Sequence, residues 1–186
     1  ESFGNGDTAT SRSFQRMWHN VAAARDGGYW TALRRRYVVE KWSSRFTAEE
    51  PVVRSPSWFS GTSDLLPGGP KKAPSPVLTG LWEDPDGLLW VFVSTASPDY
   101  GRGWTRVADR MQRNASGELR SSEIDWQHLY HTRVEVIDPS SRKLIAVHRL
   151  DRGTLRVFPD GRAAILTTSP EGIHTIRIIQ FKLNRS

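Results

Sequence analysis

Three times along this chain an Asp-Gly pair joins two short apolar runs: at Asp26-Gly27, Asp86-Gly87 and Asp160-Gly161. The runs before them are Val21 to Ala24, Leu78 to Trp82 and Thr154 to Phe158. Those after them begin Tyr29-Trp30, Leu88-Leu89-Trp90 and Ala163-Ala164-Ile165. An Asp-Gly pair between apolar runs marks a β-hairpin, because such tight turns need positive φ, which glycine accepts without steric cost. A hairpin written three times points to a repeat architecture.

Strand signals fill most of the remaining chain. β-rich or alternating runs bounded by turn residues fall at about 19–24, 28–33, 37–43, 50–54, 77–83, 88–94, 132–137, 143–149, 154–158, 162–168 and 173–183. Asp138-Pro139-Ser140-Ser141 reads as a further turn, with proline presetting φ and the aspartate bonding nearby backbone. Helical periodicity is confined to short stretches near 104–112 and 122–130. The strands group in fours, so the expected fold is all-β. It is a partial β-propeller of about three four-stranded antiparallel blades, the last lacking its outer strand. Blade 1 covers about 14–54, blade 2 about 77–150 and blade 3 about 153–183 within one partial domain.

Two segments interrupt this rhythm. Residues 55–76 are rich in proline and glycine, and residues 96–128 are polar and mixed. Loops of this length in a compact domain are functional or variable. In a four-stranded antiparallel blade the connection to the next blade and the turn between its second and third strands emerge on one face. The Asp-Gly turns emerge on the other. Both insertions therefore fall on a shared face, the candidate binding face, since loops on a rigid scaffold carry function. Arg34, Arg35 and Arg36 fall on a turn at that face, and Lys71 and Lys72 in the first insertion. These cations suit a phosphate or acidic partner, or a plain solvated turn. Trp58, Phe59, Trp104 and Trp126 lie in the insertions, as anchors for a ligand or protein partner or as packing for the loops. Trp30 and Trp90 occupy equivalent repeat positions, four residues after the aspartate, and are expected in the core between blades.

The pattern of an apolar strand, Asp-Gly, Tyr-Trp or Leu-Trp and then an apolar strand ending in Asp-Pro resembles the repeats of NHL-type six-bladed β-propellers. Trp82-Glu83-Asp84-Pro85-Asp86-Gly87-Leu88-Leu89-Trp90-Val91 and Val134-Glu135-Val136-Ile137-Asp138-Pro139 are similar to the C-terminal half of uncharacterised bacterial six-bladed propellers. Glu1-Ser2-Phe3-Gly4 looks like the end of an outer strand closing such a repeat. The resemblance implies a ring of about twice this length, with the last blade completed by a strand from the other end of the full protein. Truncation is the favoured account of the difference, and closure by association through open sheet edges is the other. The resemblance leans toward a periplasmic or cell-surface setting; the residues themselves set no compartment.

Reactive chemistry is sparse. The chain has no cysteine, which excludes disulfides, thiolate metal sites and a cysteine nucleophile. It contains no G-x-S-x-G elbow, P-loop or H-E-x-x-H. Asp84-Pro85-Asp86-Gly87 does not fit calcium-loop spacing and reads as a hairpin turn. His128 and His131 would share a metal only if helical. No apolar run approaches the roughly 18 residues of a membrane helix. The net charge of +6 permits an anionic partner, but Asp and Glu are interspersed with the arginines, so a nucleic acid is not the expected one. The expectation is a non-enzymatic scaffold binding a protein or ligand at the loop face, with no cofactor, metal or catalytic set. The alternatives are a propeller-type metal-dependent hydrolase or lactonase, its site largely in blades outside this chain, and a basic polyanion binder.

Overall fold

The computed structural model describes residues 19–60, 72–102, 126–169 and 173–184, without the side chains of His19, Trp126 and Gln127. It is all-β, with three antiparallel sheets that follow one another along the chain. The first sheet runs β1 (His19–Ala23), β2 (Tyr29–Leu33), β3 (Val38–Trp42) and β4 (Val52–Val53). The second runs β5 (Val77–Glu83), β6 (Leu89–Ala96), β7 (Tyr130–Asp138) and β8 (Lys143–Leu150). The third holds β9 (Thr154–Val157), β10 (Arg162–Thr168) and β11 (His174–Gln180). Each sheet is a meander in which neighbours in sequence are neighbours in space. All eleven runs anticipated from the sequence form strands. The stretch near 122–130 contains one helical turn, α1 (Trp126–Leu129), and 104–112 lies outside the described residues.

The three Asp-Gly hairpins share one turn. Gly27, Gly87 and Gly161 have φ of 83°, 83° and 77°. In the second hairpin the Gly87 amide donates to the Asp84 carbonyl at 3.0 Å, and the Asp84 amide to the Leu88 carbonyl at 2.9 Å. The other two hairpins repeat this pair of bonds. That is a three-residue loop in which a turn is followed by one residue in the left-handed region. Glycine therefore supplies the conformation, while a turn aspartate (Asp26, Asp84 and Asp160 in turn) supplies local hydrogen bonds. Asp138 caps its own turn as the sequence suggests, and the hydroxyls of Ser140 and then Ser141 hold its carboxyl down at about 2.

Side-chain alternation builds the core. β6 is buried along most of its length, as a strand covered on both faces requires. Val91 and Val93 join Trp30, Ala32, Val39 and Val52 in a cluster between the first and second sheets. Trp90 and Phe92 join Val134, Val136, Ala163 and Phe181 between the second and third. Phe92 meets Phe181 edge-on at 5.1 Å between centroids. Burying a phenylalanine of this kind contributes roughly 1.5–3 kcal/mol. The first strands of the sheets lie side by side, β5 touching both β1 and β9. Gly80 permits that approach, because a Cβ there would stand 2.5 Å from the Val157 side chain.

Candidate functional site

The ends of the strands sort into two faces. At one, Asn20 Nδ2 donates to the Leu78 carbonyl and the Leu78 amide to the Arg34 carbonyl, both at 2.8 Å. The Thr154 amide donates to Thr132 Oγ1 at 2.7 Å at the same end of the second and third sheets. At the other end the Arg25 amide donates to Glu83 Oε2 at 3.0 Å, and Gly161 lies beneath the Trp82 ring. The connections after β4 and β6 leave from the first end, and the Asp-Gly turns occupy the second.

The junction between the first and second sheets near the loop end is held by a buried carboxylate. Glu135, in β7, has no exposed surface. Its Oε2 accepts from the Tyr37 hydroxyl and from Arg54 Nη1, and its Oε1 accepts from Arg133 Nε at 2.8 Å. Burial, and then the adjacent Glu135 charge, push the Tyr37 hydroxyl well above its ordinary range, so it stays a proton donor. The Arg133 guanidinium also lies over the Trp58 ring, 4.6 Å from its centroid, and Trp58 meets Tyr37 edge-on. The chain after β4 is thereby pinned onto β7.

Beside this junction opens a cleft of about 440 Å³. It is lined by Trp58, Ser60 and residues 72–76 together with Thr95, Ala96, Arg133 and Arg149. None of the lining residues is acidic, while Lys72, Arg133 and Arg149 are cationic. Arg133 and Arg149 are direct cross-strand partners in β7 and β8. Like charges placed opposite one another in a sheet are unfavourable.

Next to the cleft, His131 Nε2 lies 3.1 Å from Ser97 Oγ, and its Nδ1 lies 3.0 Å from Arg149 Nη2. An arginine only donates, so Nδ1 is the acceptor and the ring proton sits on Nε2. The imidazole therefore donates to the serine, the reverse of what activating a nucleophile needs. Ser97 Oγ also accepts from the Asp99 amide at 3.2 Å. Burial, and then Arg149, lower the His131 pKa, opposed by Asp151 and Asp99. The unfolded chain thus takes up this proton first as pH falls, so the contribution to stability is present above about 6.5 and is lost below it. Urea midpoints at pH 7.5 and pH 5 are expected to differ more in the parent than in His131→Gln, which keeps a donor and an acceptor. Equal losses in the two proteins would refute this.

The sequence candidates separate. Trp58 and Lys72 line the cleft. Phe59 packs on Tyr37 at 5.4 Å, against the core of the first two sheets. Arg34, Arg35 and Arg36 form the β2–β3 turn, and burial, then Arg35, lower the Arg34 pKa. Trp126 opens α1, and Lys71 and Trp104 lie outside the described residues. His128 is on α1 and His131 on β7, so the two do not share a helical face. Trp30 and Trp90 are buried as anticipated, their indoles donating to Glu83 at 2.8 Å and Asp84 at 2.9 Å. Asp84 Oδ1 accepts the amides of Asp86 and Leu88, each at 2.9 Å, so both its oxygens serve the hairpin. Sequence reasoning missed Glu135, Arg133 and Arg149. Arg133 and Glu135 show only charges at alternate positions of a β-branched strand, and Arg149 only a cation near a strand end, which equally describe a solvated face.

Comparison with models of known protein families found no match, and comparison with curated proteins found none.

Proposed function

We propose that this chain is an arc of a β-propeller, three sheets long, acting as a non-enzymatic scaffold that takes a ligand or protein partner on its loop face. The observation that carries the binding reading is the cleft between Trp58, Ser60 and residues 72–76 and the loop-end parts of β6–β8. It has the size of a small-molecule site and lies at the loop end of a rigid sheet, where function is commonly carried. The propeller reading is supported by three successive meanders whose first strands lie together. It is supported also by the outward side of the third sheet, where Leu155, Ile176 and Ile178 are exposed. A sheet that stacks on another presents an apolar face of this kind.

The test is amide mapping by NMR on the whole chain, using a fragment set of neutral aromatics, carboxylates and phosphate esters. Shifts are expected to cluster at Ser60, Thr95, Ala96 and Arg133. Shifts confined to the Asp-Gly turns at 25–28 and 84–88, or no binding by any fragment, would overturn the assignment.

A further inference from the structure

We infer that the cleft is built for a compact dianionic oxyanion, a phosphate ion or a phosphate monoester; this deepens the loop-face reading and rests on it. The charge balance is the first argument. Arg54, Arg133 and Arg149 bring three guanidinium groups to one junction. Glu135 neutralises one charge between Arg54 and Arg133. Among the described residues no carboxylate lies within ion-pair distance of Arg149, whose partner there is the acceptor nitrogen of a neutral imidazole. Arg54, Arg133, Arg149 and Glu135 together carry two net positive charges, which a dianion matches. Asp99 and Asp151 act on His131, and neither is among the lining residues or pairs with one of the three arginines.

Geometry supplies the second argument. Cross-strand pairing sets the Cα atoms of Arg133 and Arg149 roughly 5 Å apart on one side of the sheet. Arg133 is held in place from two sides, by Glu135 on its Nε and by the Trp58 face. One of its five N–H donors is used by Glu135, and one of Arg149's by His131. The remaining forks suit tetrahedral oxyanions, which arginine binds in bidentate fashion. Lys72, Ser60 and Thr95 complete the polar part of the lining. An anion here would also relieve the repulsion between the paired arginines.

Isothermal titration of the full chain with inorganic phosphate, phenyl phosphate and malonate tests the inference. Both phosphates are expected to bind, and Arg149→Gln to weaken them at least tenfold. Arg149→Lys should recover part of that loss, and Lys143→Gln, at the far end of the same strand, should change little. Tighter binding of phenyl phosphate assigns the site to monoesters, and equal binding assigns it to the free ion; both support the oxyanion site. Malonate matching the phosphates, or Lys143→Gln costing as much as Arg149→Gln, would overturn it. Neutral fragments occupying the cleft while phosphates do not would remove this inference and leave the loop-face reading standing. Far-UV circular dichroism of each variant checks that the fold is kept.

Discussion

Replacing Glu135 with alanine is expected to cost about 3 kcal/mol of stability, the lower end of the 3–5 kcal/mol seen when one partner of a buried ion pair is removed. The lower end applies because the side chains of Arg54 and Arg133 keep 22% and 30% of their surface, so water takes over part of the lost interaction. Tyr37 is 2% exposed, and its hydroxyl would lose the acceptor that Glu135 provides. Glu135→Gln keeps a carbonyl acceptor and loses only the charge, so it should cost less, about 2 kcal/mol. Pairing Glu135→Gln with Tyr37→Phe should show coupling of about 1 kcal/mol in a double-mutant cycle, since the two groups touch. Urea unfolding followed by circular dichroism measures all of these. A loss under about 1 kcal/mol for Glu135→Ala would show that the carboxylate does not hold the two sheets together.

The second large effect separates three residues that the sequence presents as equivalents. Gly27→Ala and Gly87→Ala should each cost about 1 kcal/mol, the strain of an L-residue in the left-handed region. A Cβ at Gly27 meets nothing within 4 Å, and at Gly87 it meets the flexible end of Arg25 at 3.3 Å. Gly161→Ala carries the same strain and also drives its methyl into the Trp82 ring, with atoms at 2.4–2.6 Å. Trp82 is packed with Trp90 in the core between the second and third sheets, so it has little room to yield. Overpacking a core adds about 1–3 kcal/mol, giving a total near 3 kcal/mol for Gly161→Ala. Thermal melts of the three variants should place Gly161→Ala well below the other two. Three equal shifts would mean that Trp82 moves aside and that only backbone strain matters.

Much of the fold was legible because its determinants are local. The hairpin turns close within five residues, and their glycines and aspartates are written in the chain. Strand runs such as Val134-Glu135-Val136-Ile137 declare themselves by β-branching. The burial of Trp30 and Trp90 followed from their matching places in the repeat. The candidate site was less legible. Lys72 and Trp58 were marked by their place in an insertion, yet the arginines that line the cleft with them belong to strands. Glu135 reads like any polar position of a half-buried strand. Its partners Tyr37 and Arg54 are 98 and 81 residues away, and nothing near Glu135 names them.

Alone, the sequence determined the strands, their order into meanders and the conformation of each turn. These rest on hydrogen bonds and steric limits between residues a few positions apart. Tertiary structure decided which of three like glycines meets an aromatic ring, which carboxylate is sealed among two arginines and a tyrosine, and where two arginines face a cleft. Those outcomes depend on how separate sheets stack. Stacking is set by the shapes and charges of side chains far apart in the chain, which no local pattern records.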